Sequence, residues 1–285
     1  MEIIRAIQLT NKGAFIARLK VFNTSGHVKS KDILTGKSAI IDLNQYLNFF
    51  KDGELITVGV EVMGGKNKKS SREFIYRAGA LDKAMFEISG TMLSNKLTFV
   101  ETKKAYDYHI YFDEKTPHNI NGINYVFYPE DSIAIVHEPT GEYYKGAVKI
   151  PSTVTYQKKK YVVTQLANQA FGYCHDLTSL TLPASICFIG DFVFIEDGNL
   201  KTIRVQNDTP PEVDSHGVRE FDGIDSCTLS VPLGSVDDYK EAFGWEQFKN
   251  IKAYVTSRIL EKLVGMLKRK KDKDKRRKKR IQSQD

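Results

Sequence analysis

The sequence predicts a mainly β protein, in which an antiparallel β-sandwich is followed by a short solenoid and by a C-terminal helix with a basic tail. Three observations support this fold class. Apolar residues alternate with period two up to about residue 102, and in the second half apolar positions recur at i and i+23. Eleven of the thirteen residues in 268–280 are basic. With 285 residues, the chain is long enough to bury two hydrophobic cores.

Residues 1–102 are predicted to form the sandwich. The alternation is clearest in residues 15–22 and 55–62, and turn-rich pieces separate five further apolar runs. These runs are residues 2–8, 37–42, 72–77, 84–90 and 96–100. Seven short antiparallel strands at this spacing suit an immunoglobulin-like sandwich, because each sheet buries one face against the other. The segment contains no cysteine, so it lacks the inter-sheet disulfide of many such domains.

Residues 103–118 form a polar, tyrosine-rich linker, and a repeat follows it. Aligning the sequence with itself at a shift of 23 places six pairs of apolar residues in one register. The pairs are Val163 with Ile186, Leu166 with Ile189, Phe171 with Phe194, Leu177 with Leu200, Leu180 with Ile203, and Leu182 with Val205. This period, with an apolar-x-apolar pair in each unit, predicts a leucine-rich-repeat coil, because one turn cannot bury its apolar face without neighbours.

Two weaker turns extend the coil. Residues 148–151 (VKIP) and 229–232 (LSVP) match 180–183 (LTLP) in form, and terminal turns of a solenoid are expected to be atypical. The extra length before 180–183 is assigned to an inserted hairpin, residues 155–163, that turns at its lysines.

A closing helix is predicted after the last turn. Ser235 together with Asp238 is a plausible helix start. Its apolar face would contain Tyr239, Ala242, Phe243 and Phe248. This helix would cover the open end of the coil.

Residues 146–194, GAVKIPSTVTYQKKKYVVTQLANQAFGYCHDLTSLTLPASICFIGDFVF, closely resemble the BspA-type leucine-rich repeats, a family common in bacteria. The ending SVPLGSVDDYKEAFGWEQFKNI is similar to the closing segment of that family, and NINGINYVFYPEDSIAIVHEP is similar to its opening hairpins. The resemblance covers about residues 119–253. It implies an adhesion or protein-interaction module displayed outside the cell, with no catalysis and no cofactor.

The N-terminus lacks the basic and continuous apolar regions of a secretory signal, whereas proteins with such repeats usually begin with one. Three explanations stay open: another export route, an incomplete or mature chain, or a particle such as a phage virion, which is released by lysis. We therefore expect a virion or a cell surface rather than the cytoplasm.

The chain has three cysteines, and two of them, Cys174 and Cys187, lie near His175. Neither cysteine recurs as part of a ligand set in the next repeat, and no C-x-x-C pair exists. Buried free cysteine packs as a small hydrophobic residue, so a structural role is predicted. The six histidines are scattered without a nucleophile motif and are expected on the surface. The sequence thus predicts no catalytic residue, no metal ligand and no cofactor site.

The candidate binding residues lie in the apolar-x-apolar pairs. In each pair the two apolar side chains point into the coil while the middle one points out. The middle residues Lys149, Thr181, Arg204 and Ser230 should therefore form a row across the concave sheet. Concave faces are the usual binding surfaces of solenoids, which predicts contact with a protein partner or surface ligand. The alternative is a row that is merely solvated.

Residues 254–285 carry a predicted amphipathic helix and a polybasic tail. Ser257 is a possible N-cap, and the apolar stripe consists of Ile259, Leu260, Leu263, Val264 and Leu267. The stripe would pack on the chain itself, on a second copy or on a membrane interface. The basic residues are Lys268, Arg269, Lys270, Lys271, Lys273, Lys275, Arg276, Arg277, Lys278, Lys279 and Arg280.

This tail carries a net charge of +9, while the rest of the chain has 31 basic and 33 acidic residues, or −2. The tail could neutralise phosphates of nucleic acid or acidic lipid, or contact an assembly, or be a solvated run. No aromatic residues are interleaved, which argues against base-specific recognition.

Taken together, these features predict a non-enzymatic interaction or structural protein, in the leading hypothesis a phage structural or decoration protein that displays repeats and is anchored by its tail. The alternative is a bacterial surface or secreted adhesin. A second alternative is a nucleic-acid-associated or membrane-associated protein that acts through the basic tail. Membership of a larger assembly or a homo-oligomer is expected.

Overall fold

The computed structural model describes residues 1–104, 116–218 and 220–255. The first of these ranges contains nine strands and a short 3₁₀ helix, Leu43–Tyr46. The strands are β1 (Ile3–Ile4), β2 (Ala6–Asn11), β3 (Ala17–Asn23), β4 (Gly26–Lys29), β5 (Ser38–Asp42), β6 (Leu55–Val62), β7 (Lys68–Tyr76), β8 (Asp82–Gly90) and β9 (Asn95–Lys104).

These strands form a two-sheet sandwich. One sheet has the order β1-β7-β6-β3-β4 and the other β5-β2-β8-β9. Alternate residues of β3, namely Ala17, Leu19 and Val21, are fully buried, while the residues between them are only partly buried. The inner faces of the two sheets therefore share one hydrophobic core, as period-two alternation requires.

The sandwich differs from its prediction in three details. The first predicted strand is split into β1 and β2, which belong to different sheets, and β4 was not predicted because its alternate residues are only half-buried. In addition, β1 pairs with β7 and β2 with β8 in parallel, so the sandwich is not purely antiparallel. The split lets one N-terminal segment extend both sheets.

The remaining described residues contain twelve strands, the helix α1 (Val236–Glu241) and a 3₁₀ helix, Trp245–Gln247. The strands are β10 (His118–Ile120), β11 (Ile123–Tyr128), β12 (Ile133–His137), β13 (Gly146–Lys149), β14 (Thr153–Tyr156), β15 (Lys159–Leu166), β16 (Leu177–Leu182), β17 (Phe188–Ile189), β18 (Thr202–Val205), β19 (Glu212–Val213), β20 (Thr228–Pro232) and β21 (Asn250–Tyr254).

Two sheets wind into a coil. We call the order β10-β11-β12-β15-β17-β19 the first coil sheet and β13-β16-β18-β20-β21 the second coil sheet. The ladders from β12 to β19 and from β13 to β21 are parallel. All twelve residues of the six pairs at a shift of 23 are buried and belong to one core. The predicted leucine-rich-repeat coil is therefore confirmed.

The backbone repeats with the same period as the core. Gln169 and Phe192, which occupy equivalent positions of successive repeats, have φ of 56° and 55°, and the equivalent Tyr173 and Glu196 have φ of 61° and 60°. Left-handed backbone at non-glycine residues costs energy and persists only where the surrounding structure fixes it. The turns between the two coil sheets are thus built alike in successive repeats.

The hairpin at 155–163 is confirmed. Strands β14 and β15 pair antiparallel, from Thr153 with Val162 to Tyr156 with Lys159. Gln157 and Lys158 occupy the turn with φ of 47° and 65°, the geometry of a type I′ hairpin.

The closing segment is less helical than predicted. Helix α1 has six residues, and the Ser235 side chain forms no capping hydrogen bond. Tyr239 and Phe248 are buried as expected, but Phe243 is 49% exposed because the helix has ended before it. The chain then returns as β21, which adds a last parallel strand beside β20. A strand as well as a helix therefore closes the coil.

The sandwich and the coil contact each other through buried groups. The Arg5 guanidinium, 4% exposed, donates to both Asp42 and Asp131 at 2.7 Å. Val162, which lies in the coil, belongs to the hydrophobic core of the sandwich. The predicted boundaries, 1–102 and 119–253, stay a prediction, although β9 ends at Lys104 and two separate cores exist.

The predictions for the C-terminal segment fall on residues outside the described ranges. They concern Ser257, the apolar stripe 259–267 and the basic residues in 268–280. Within the described ranges, no helix has both the length and the hydrophobicity needed to cross a bilayer.

Candidate interaction surface

The two coil sheets differ in how their outer faces are covered. In β12, Ala134 and Val136 belong to the coil core, while Ile133 and Ile135 point away from it and are also buried. The neighbouring Val162 on β15 packs into the core of the sandwich. In the first coil sheet, β12 and residues 161–166 of β15 are thus buried on both faces, which explains the nearly continuous apolar sequence of β12. This sheet offers no free surface at these residues.

The second coil sheet exposes its outer face, which we call the open face. The parallel ladders place Lys149 beside Thr181, Thr181 beside Arg204, and Arg204 beside Ser230. Lys149 and Arg204 are exposed, while Thr181 and Ser230 are half-buried. The structure therefore brings the four predicted residues into one row. That this row binds a partner remains a prediction.

A second outward row runs beside the first, two residues earlier in each strand. The ladders join Ala147, Ser179, Thr202, Thr228 and Asn250 in this order. Three of these residues carry hydroxyl groups, and one carries an amide. The open face thus offers uncharged hydrogen-bonding groups next to its charged row.

Sequence analysis missed the fifth member of the charged row. Lys252 on β21 lies beside Ser230, and Tyr254 on the same strand reaches back across the sheet. The Tyr254 hydroxyl donates to the Val205 carbonyl at 3.0 Å, and its ring centroid lies 3.7 Å from the Arg204 guanidinium carbon. The sequence did contain the pattern that identifies this position, because Ile251 and Ala253 flank Lys252 as in the other apolar-x-apolar pairs.

The surroundings of the three cysteines favour the structural role predicted for them. Burial raises the pKa of the Cys174 thiol to about 12 and that of the Cys227 thiol to about 12, and it also raises the pKa of Cys187 far above its ordinary value. Such thiols are protonated at neutral pH and are poor nucleophiles and metal ligands. In the part of the chain that the structure describes, no three His, Cys, Asp or Glu side chains gather as a metal site.

Asp197 occupies, one turn later, the position of Cys174. Its side chain is fully buried, and neither carboxylate oxygen has a hydrogen-bond partner among the described residues. Burial raises the pKa of Asp197 to about 7, and the nearby backbone of Cys174 and the charge of His175 oppose this shift. The His175 ring instead contacts the Glu196 carbonyl at 3.0 Å. No acid–base pair is assembled at this position.

A cleft of about 290 Å³ lies where the sandwich meets the coil. Arg77 in its wall donates to Asp52 at 3.0 Å and to Asp208 at 2.7 Å, so its charge is used within the protein. The thiol of Cys187, also in the wall, is held protonated by burial. The cleft lies at a charged junction between the sandwich and the coil, and Arg77 and its two carboxylate partners bind one another there.

Comparison with known proteins gives structural likeness only. No protein-family profile and no curated protein matches the chain. A leucine-rich cell surface protein from Faecalibacterium prausnitzii A2-165 shares 21% identity over 46% of this chain and 36% of its own length, with a TM-score of 0.32.

Two further solved structures are similar. A leucine-rich-repeat protein from Bacteroides capillosus ATCC 29799 has 17% identity over 49% of this chain and 99% of its own, with a TM-score of 0.36. A leucine-rich-repeat protein from Bacteroides ovatus ATCC 8483 has 23% identity over 41% of this chain and 32% of its own length, with a TM-score of 0.32. The chain thus spans about a third of the length of the Faecalibacterium and B. ovatus proteins. The parallel ladders and the core that recurs with a period of 23 residues make the second half of this chain a leucine-rich-repeat coil.

Proposed function

We propose that this protein is a non-enzymatic interaction protein that binds a partner through the open face of its coil. The observation that carries the proposal is the row of outward residues on five parallel strands, on the coil sheet whose outer face is left uncovered. The raised pKa values of the three thiols support a non-catalytic role.

The setting we propose is a bacterial surface. This is what the resemblance of residues 119–253 to BspA-type repeats implies. Nothing in the described residues supports the virion hypothesis, and the anchoring and anion-binding roles of residues 254–285 remain predictions.

The experiment blocks the open face without changing its charge. Beads coated with the full chain are tested for adhesion to intact bacterial and epithelial cells. In the variant, Thr181→Trp and Ser230→Trp place bulky side chains at the centre of the row. We expect adhesion at least about tenfold weaker than that of the wild type, because central interface positions carry most binding energy.

The matched control is Thr98→Trp, at an exposed position of β9 on the sandwich, and it should adhere like the wild type. Circular dichroism verifies that each variant is folded. If the open-face variant adheres as well as the control, or if the wild type adheres to neither cell type, the proposed function is wrong.

A further inference from the structure

We infer that the partner of the open face is an acidic polysaccharide that lies across the strands and carries a carboxylate on every second sugar. This inference deepens the proposed function and rests on it. It starts from the order of side chains in the charged row. From β13 to β21 the row reads Lys149, Thr181, Arg204, Ser230 and Lys252, so that cations occupy every second strand.

The spacing of these cations suits a chain with a regular repeat. Neighbouring strands are about 4.8 Å apart, so consecutive cations of the row are separated by about 9.6 Å, and the whole row spans about 19 Å. A glycosidically linked pyranose extends a polysaccharide by close to one strand spacing. Carboxylates on alternate sugars would therefore meet Lys149, Arg204 and Lys252 in turn.

The positive charge of the open face favours an anionic partner. The five strands of the second coil sheet contain no Asp or Glu, and no described residue forms an ion pair with Lys149, Arg204 or Lys252.

The uncharged groups favour a polysaccharide over an acidic protein. Protein interfaces are anchored by Trp, Tyr and Arg side chains that fill well-packed pockets. The second row offers instead Ser179, Thr202, Thr228 and Asn250, which can exchange hydrogen bonds with sugar hydroxyls. The open face is therefore rich in hydrogen-bonding groups, and the one aromatic side chain of its five strands, Tyr254, already stacks with Arg204.

The Arg204 side chain is preorganised for binding. Its guanidinium stacks on the Tyr254 ring, which is itself fixed by the hydrogen bond to the Val205 carbonyl. Stacking occupies one face of the guanidinium and leaves its N–H edges available to a carboxylate. Less side-chain entropy is then lost on binding.

The test measures binding of hyaluronan oligosaccharides, in which glucuronate alternates with N-acetylglucosamine, to the full-length chain by calorimetry. All variants carry Gln at the eleven basic positions of 268–280, so that the tail cannot bind the polyanion. We expect a hexasaccharide to bind and a disaccharide to fail. Lys149→Gln, Arg204→Gln and Lys252→Gln should each weaken binding by about two- to fivefold, and the triple variant by at least about tenfold.

The control replaces Lys37, Lys96 and Lys103, three exposed lysines of the sandwich, with Gln and should bind like its parent. A triple variant that binds as tightly as this control overturns the inference. It is equally overturned if neutral cello-oligosaccharides bind as well as hyaluronan, if polyglutamate binds more tightly, or if no polyanion binds. Loss of cell adhesion in the Trp variant without any polyanion binding would leave the proposed function standing.

Discussion

The two sheets of the coil share one interior but have opposite outer faces. On the first coil sheet the outer positions of β12 and β15 include Ile133, Ile135 and Val162, all buried. On the second, most outer positions carry a hydroxyl group or a positive charge and are exposed or half-buried. The inward residues of both sheets are apolar alike. The repeat pattern therefore builds the coil, and the residues between the apolar ones decide whether a face packs on the protein's own sandwich or stays exposed.

The largest effect is expected when one carboxylate is placed on the outer face of each coil sheet, which tests whether the two faces differ in burial. Val162→Asp should destabilise the protein by about 3–5 kcal/mol, because it buries an unpaired charge in the core of the sandwich. Thr181→Asp, between Lys149 and Arg204, should change the free energy of unfolding by less than about 0.5 kcal/mol. Urea denaturation followed by circular dichroism measures both. Equal effects of the two substitutions would mean that the faces do not differ in burial.

The second prediction concerns the interior that both sheets share, where Asp197 replaces the cysteine of the preceding turn. The pKa of Asp197 in the folded protein is about 7, raised by burial from an ordinary value of 3.8. Between these values the folded state holds a proton that the unfolded state has lost. Unfolding free energy therefore falls as pH rises from 3.8 to about 7, by at most about 4 kcal/mol.

Asp197→Asn removes this titration. Its stability relative to the wild type should rise between pH 4 and pH 7 and become constant above pH 7. Any cost of burying the amide is the same at every pH, so the slope is diagnostic. The measurement is urea denaturation at a series of pH values. A constant difference between the two proteins over this range would show that Asp197 does not titrate with a raised pKa.

The third prediction concerns a hydrogen bond at the open face itself. Tyr254→Phe removes the hydrogen bond to the Val205 carbonyl while it keeps the ring on which Arg204 stacks. A loss of about 0.5–1.5 kcal/mol is expected, since one partly buried hydrogen bond is broken. Tyr143→Phe, at a tyrosine that is 57% exposed, is the control and should be neutral. The prediction fails if Tyr143→Phe destabilises the protein as much as Tyr254→Phe.

The coil could be predicted because its determinants are local and periodic. Buried aliphatic residues that recur at i and i+23 are visible in the sequence without knowledge of any long-range contact, and the row from Lys149 to Ser230 follows from them by geometry. The prediction stopped at Ser230 because Phe243 and Phe248 were assigned to a long helix. In fact the helix ends at Glu241, and the strand with Lys252 and Tyr254 follows.

The covering of the first coil sheet could not be predicted in the same way. It depends on which part of the sandwich meets β12 and β15, and no periodicity encodes a contact such as that between Arg5 and Asp131. The buried charge of Asp197 was likewise invisible, because the repeat alignment paired it with Cys174 without revealing that its carboxylate lacks a hydrogen-bond partner among the described residues.

Strand β15 has a mechanical consequence. Tyr161 and Val163 are anchored in the coil, and Val162 between them is anchored in the sandwich. Neighbouring residues of this strand are therefore buried in two different cores. A force that pulls the sandwich away from the coil would act on both sets of buried contacts at once. A ligand that pulls on the open face would accordingly transmit its force to the sandwich through the packing of Val162.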